Sequence, residues 1–198
     1  MMTEYLEPGR RKIALFAFLG GFLTAGIAAG GLIAFQLTGA NTDTGVSEAS
    51  AKLSQEVQQV RSEVIPEKGS STGYGAHYSN DAIKKMVSWE ENTELSGETR
   101  QRYIDLGSRK GTSCEYCCGA TSALTENGRI ACGCNHNIAL AGLVKHLVKE
   151  TDMTDKEIMA EIRDWKGFFF PKQVLKEELQ KRGISPSAAG LPRMRGGC

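Results

Sequence analysis

Hydrophobic positions along the chain fall into distinct regimes. From Ile13 to Phe35 no charged residue occurs. At about 1.5 Å of helix rise per residue this block can cross a hydrocarbon layer of roughly 30 Å. It predicts a transmembrane anchor over 13–37. A cleaved signal peptide competes with that reading, but its apolar region runs only about 7–15 residues, shorter than the block. Next, Val46, Leu53, Val57, Val60 and Val64 recur at helical spacing among Ser, Lys, Gln, Glu and Arg, which predicts an amphipathic stalk helix over 46–65. Such a stripe packs on its own domain or forms a short coiled coil. Pro66 ends it, and the small residues Gly69, Ser70, Ser71, Gly73 and Gly75 make 66–77 a flexible linker.

The remaining pattern is helical over 78–184. A helix near Asn80 to Glu91 places Ile83, Met86 and Val87 on one side, and a second after Ser96 carries Tyr103, Ile104 and Leu106 before Gly107 and Gly111. Residues 119–130 form a connecting loop. Beyond His136, the positions Leu140, Leu143, Val144, Leu147 and Val148 keep helical spacing, and Ala139 with Gly142 offers a close-packing face. Thr154 with Glu157 makes a capping box for a helix bearing Ile158, Ile162 and Trp165. Gly167 breaks that helix, Phe168-Phe169-Phe170 adds core volume, and Pro171 opens a last helix ending before Gly183. The tail 185–198 should lie extended and ends in Gly196-Gly197-Cys198. No segment has strand alternation. The expected fold is mainly α: a transmembrane helix and a stalk helix, followed by a small helical bundle centred on Cys and His.

Charge then sets location. The formal net charge of +1 across 198 residues leaves no electrostatic footprint for nucleic acid. Arg10-Arg11-Lys12 abuts the anchor on one side, whereas Thr38 to Ser47 holds Asp43 and no Lys or Arg. The basic flank predicts a cytoplasmic segment 1–12, a single pass through the cell membrane, and an extracytoplasmic remainder in which disulfides persist. Gly26-x-x-x-Gly30 and the stalk stripe supply surfaces for a homodimer, and an anchored module of this kind suits a membrane protein complex.

The chemistry lies in six cysteines. Cys114-x-x-Cys117-Cys118 and Cys132-x-Cys134-x-His136 are two short groups of thiolates and an imidazole, the donors that borderline and soft metals take. All six residues are candidate ligands for one transition-metal ion, zinc or copper. Met86, Met153 and Met194 are thioethers that would suit copper. Two other readings compete. The first is thiol–disulfide exchange through Cys114 and Cys117. The second is a disulfide-stapled structural or interaction module, with about 15 connectivities open to six cysteines. Cys198 is a further ligand or a disulfide partner, since Gly196 and Gly197 let the chain end bend back. His77 and His146 read as solvated or capping groups. No Ser/His/Asp order, phosphate loop, paired carboxylates or HExxH motif is present, so hydrolytic chemistry has no support and a binding role is favoured over an enzyme.

Cys117-Cys118-Gly119, Cys132-Gly133-Cys134-Asn135-His136 and the Trp165-to-Pro171 segment resemble the membrane-anchored, Cys-rich prokaryotic proteins of the PCYCGC-motif group over about half the chain. The contiguous Pro-Cys-Tyr-Cys-Gly-Cys order does not occur here, so ligands do not transfer one to one. A fainter likeness joins Cys114-x-x-Cys117, Thr154-Asp155-Lys156-Glu157-Ile158 and Pro171 to cytochrome c maturation thiol oxidoreductases. That likeness implies an anchored helical bundle with a reactive C-x-x-C, although the second Cys-x-Cys-x-His group has no counterpart there.

Overall fold

The computed structural model describes residues 44–191. The basic flank 1–12, the anchor at 13–37 and Cys198 fall outside the described residues; among these, no helix is long and apolar enough to cross a membrane. The described chain is mainly helical, with seven helices and no strand: α1 (Thr44–Val64), α2 (Ala82–Asn92), α3 (Gly97–Gly107), α4 (Glu115–Cys118), α5 (Asn135–Glu150), α6 (Asp155–Phe169) and α7 (Pro171–Lys181).

Helix α5 is the axis of the core. Ala139, Leu140, Ala141, Leu143, Val144 and Leu147 are fully buried, so its apolar surface wraps most of the circumference, as expected of a helix surrounded by others. The residue that sets its closest neighbour is Gly142. A Cβ there would lie 2.9 Å from the Glu90 amide nitrogen and overlap the Met86 carbonyl oxygen, so only glycine lets the backbones of α2 and α5 meet. Charged groups close the rim: Lys145 Nζ pairs with Glu90 Oε1 at 2.8 Å, and Tyr103 Oη of α3 donates to Glu90 Oε2 at 2.8 Å.

The capping box of α6 is formed as its sequence requires. Glu157 N donates to Thr154 Oγ1 at 3.4 Å, and Thr154 N donates back to Glu157 Oε2 at 2.7 Å. Ile158, Ile162 and Trp165 are completely buried. Gly167, expected to break the helix, does not: α6 runs on to Phe169. Its hydrogen side chain instead admits the C-terminal turn of α1, since a Cβ would overlap the Val64 carbonyl oxygen. The stalk stripe is thereby partly consumed within its own domain. Val60 and Val64 are buried, and Val60 packs with Leu175 and Leu179 of α7.

Two expectations about irregular segments are corrected. The presumed linker at 66–77 is folded onto the bundle. Gly69 N donates to Tyr78 O at 2.8 Å, Tyr78 N to Ser70 O at 3.0 Å and Thr72 N to Ala76 O at 2.9 Å, and this hairpin-like loop buries Tyr74 and Ala76, with Tyr78 following. Tyr74 Oη accepts from Trp165 Nε1 at 2.6 Å and donates to Glu161 Oε2 at 2.7 Å. The tail is not extended between 185 and 191. It turns, with Leu191 N donating to Pro186 O at 2.9 Å, and lays Ala189 and Leu191 against the α1–α7 cluster.

Candidate metal-thiolate site

The first cysteine arm follows α3. Thr112 is fully buried; its hydroxyl donates to Gly107 O at 2.8 Å and accepts from Ala123 N at 2.9 Å, pinning the connecting loop beside the arm. Cys114 precedes the single turn α4, and Cys117 N donates to Cys114 O at 3.0 Å. Gly119, with φ of 74°, closes the turn in the left-handed region where glycine is favoured. Two contacts lock the turn to the bundle. Lys166 of α6, nearly buried, pairs with Glu115 Oε1 at 2.7 Å, and Tyr116 Oη donates to Glu177 Oε2 of α7 at 2.9 Å.

The second arm is brought across by the loop. Leu124 N donates to Gly107 O and Ala131 N to Ala123 O, both at 2.9 Å. Cys134 then serves as the N-cap of α5, its Sγ accepting from Asn137 N at 3.4 Å. This places a sulfur at a helix N-terminus, where unpaired amides and the helix dipole favour negative charge.

The two arms meet sulfur to sulfur. Cys114 Sγ lies 3.0 Å from Cys134 Sγ, and Cys114, Cys118 and Cys134 form a group whose sulfurs are all within 4.8 Å of one another. Exposure is graded across it: Cys118 is exposed, Cys134 half-buried and Cys114 fully buried. Tetrahedral thiolates at about 2.3 Å from zinc stand roughly 3.8 Å apart, so shifts of about an ångström would close this group on an ion. The donor set therefore fits a borderline or soft metal.

Cys118 is also joined to Cys132 in a disulfide, with a Cα separation of 6.9 Å, while Cys114 and Cys134 are free thiols. Cys117 is not a free thiol. Burial pushes the Cys114 thiol up to about 12, and its hydrogen bond to Cys134 acts in the same direction; Lys166 opposes both weakly. Cys114 thus remains protonated at neutral pH unless an ion or a stronger positive charge takes the place of its proton.

His136 does not join the sulfurs. Its ring packs 4.9 Å from Phe170 and 5.4 Å from Phe169, and burial holds it below the usual imidazole range. At the second position of α5 its ring lies against the aromatic run and is not part of the three-sulfur group. Met86 is likewise a fully buried core residue under α5. His146, expected to be a solvated or capping group, stacks on Trp89 at 3.8 Å, with Nε2 3.1 Å from Tyr74 O.

One site residue escapes the cysteine pattern. Asn137 is fully buried, and its Nδ2 donates to Cys132 O at 2.9 Å and Ala123 O at 3.1 Å. A single side chain thus ties the second arm to the loop, while its backbone amide donates to the capping Cys134 Sγ. Its Oδ1 is a buried oxygen without a hydrogen-bond partner among the described residues. The signal in the sequence is a polar residue three positions beyond a cysteine that starts a helix. Comparison with protein-family models, curated proteins and solved structures finds no match to this chain.

Proposed function

We propose that this protein is a membrane-tethered thiolate metal centre that holds zinc or copper through Cys114, Cys118 and Cys134, with Cys132 as the fourth donor. The observation that carries the reading is the three-sulfur group within 4.8 Å, assembled from two chain segments. Loops pinned by Thr112 and Asn137 bring those sulfurs together, so an ion would find its ligands largely placed. The tether is the uncharged block from Ile13 to Phe35, with Arg10-Arg11-Lys12 on its inner side. Elemental analysis of the full-length chain, purified under reducing, chelator-free conditions, tests the proposal. Roughly one equivalent of metal is expected for a single thiolate site; a content far below that refutes it.

A second reading is thiol–disulfide exchange. It is favoured by the position of the Cys118–Cys132 disulfide against the free thiols Cys114 and Cys134. The dithiol would then be Cys114 with Cys134, not Cys114 with Cys117. This reading predicts a trappable mixed disulfide with a protein partner at Cys114 or Cys134, and the metal reading predicts none at those two sulfurs.

A further inference from the structure

We propose that the Cys118–Cys132 disulfide is a redox gate on the metal centre, an inference that rests on the metal-binding reading above. Cys118 belongs to the three-sulfur group with Cys114 and Cys134, yet it is bonded to Cys132. A disulfide sulfur carries no thiolate charge to offer an ion, so metal loading and this bond exclude one another. With the bond closed, Cys114 and Cys134 are the free thiols left in the group, two donors where a closed structural site takes four. Opening the bond restores Cys118 and frees Cys132 beside it.

The graded exposure shows where the gate is operated. Cys118 is the exposed member and Cys114 the buried one, so an external thiol meets the disulfide at Cys118. Little backbone movement is needed in either direction, because the Cys118 turn is held by Lys166–Glu115 and Tyr116–Glu177, and the Cys132 arm by Asn137.

A dithiol supplies the two electrons. One of its thiolates attacks Cys118 Sγ, forming a mixed disulfide there and breaking the bond to Cys132, which leaves as a thiolate. The second thiolate of the reductant then attacks the reductant's own sulfur in that mixed disulfide. The reductant departs as a cyclic disulfide and Cys118 is released as a thiolate. The protein has gained two electrons and, on protonation of both sulfurs, two protons. When a divalent ion binds, the four thiols give up their protons to solvent. A disulfide oxidant reverses the sequence: Cys118–Cys132 re-forms, the ion is ejected, and the oxidant is reduced to two thiols.

The test uses the solubilised full-length chain with Co(II) as a spectroscopic probe. It is titrated after phosphine reduction and again after treatment with glutathione disulfide, with the Cys118–Cys132 bond mapped by mass spectrometry. The reduced chain should bind cobalt with a thiolate charge-transfer band, and the oxidised chain should bind it more than about 100-fold more weakly, a loss at least as large as that from disturbing a supporting residue. Equal affinity in both states overturns the gate and leaves the metal centre standing. Absence of binding in both states overturns the gate and the metal centre together. The variant Cys132→Ser keeps Cys114, Cys118 and Cys134 but cannot form the bond, so its cobalt affinity, measured on chain that intact mass shows free of a glutathione adduct at Cys118, should no longer respond to the oxidant; a retained response assigns the effect to another disulfide and overturns the proposal.

Discussion

Replacing Gly142 by Ala sets two physical effects against each other with opposite signs. In an exposed helix interior, Gly→Ala stabilises by about 1 kcal/mol because the unfolded chain loses conformational freedom and the helix gains a good former. At position 142 the added Cβ falls 2.9 Å from the Glu90 amide nitrogen, 3.0 Å from the Met86 carbonyl carbon and closer still to the Met86 carbonyl oxygen. These are backbone atoms of α2, so no rotamer change relieves the overlap. Helices α2 and α5 must separate by about an ångström along their contact, which loosens the packing around the fully buried Met86, Leu143 and Val144. Overpacking of this kind costs typically about 1–3 kcal/mol, and a rigid backbone partner places the site at the upper end. The net expectation is destabilisation by about 2 kcal/mol, a fall in Tm of roughly 4–8 °C for a domain of this size. Thermal unfolding followed by circular dichroism, with wild type and variant in the same oxidation state, measures it. An unchanged or raised Tm would refute the claim that α2 and α5 meet backbone to backbone at this glycine.

The remaining predictions concern the site and the folded loop. In reduced, metal-free protein, alkylation of Cys114 should be slow at pH 8 and keep accelerating past pH 9 toward about 12, because burial and the hydrogen bond to Cys134 keep the thiol protonated; residue-resolved mass spectrometry showing a plateau near pH 9 would contradict this. The same shift makes the folded state hold the proton that the unfolded chain has lost, so the stability contributed by Cys114 is present below about pH 9 and declines as pH rises toward 12. Tyr74→Phe leaves the buried Trp165 Nε1–H without its 2.6 Å acceptor and should cost about 1–3 kcal/mol in urea unfolding; a change within error would show that the 66–77 loop is not fastened there. Asn137→Leu removes the bonds to Cys132 O and Ala123 O, and cobalt affinity of the reduced chain should fall about 10–100-fold, as for other groups that orient metal ligands, while an unchanged affinity would assign Asn137 to packing alone.

Most helices were legible because periodicity and capping are local. Leu140, Leu143, Val144 and Leu147 repeat at the helical period, and Thr154 with Glu157 marks the start of α6 whatever lies around it. The irregular segments were not legible for the same reason. In 66–77 the glycines and serines speak for a loop, whereas burial of Tyr74 and Ala76 depends on Trp165 and Glu161, far away in sequence. Gly167 carries a breaker's propensity, and only the approach of Val64 shows that its lack of a Cβ serves close packing within a continuing helix.

The candidate site divides along the same line. Which donors exist, in two short groups on either side of a loop, is readable from the residues alone. Which sulfurs meet depends on contacts distant in sequence, because Thr112 and Asn137 fold the connecting loop back on α3. The tertiary structure brings Cys114, Cys118 and Cys134 together, commits Cys118 to Cys132, and turns His136 toward Phe169 and Phe170. Spacing along a chain fixes how near two ligands can come. Which side of a helix start each one leaves from, and what it packs against there, is settled by the rest of the fold.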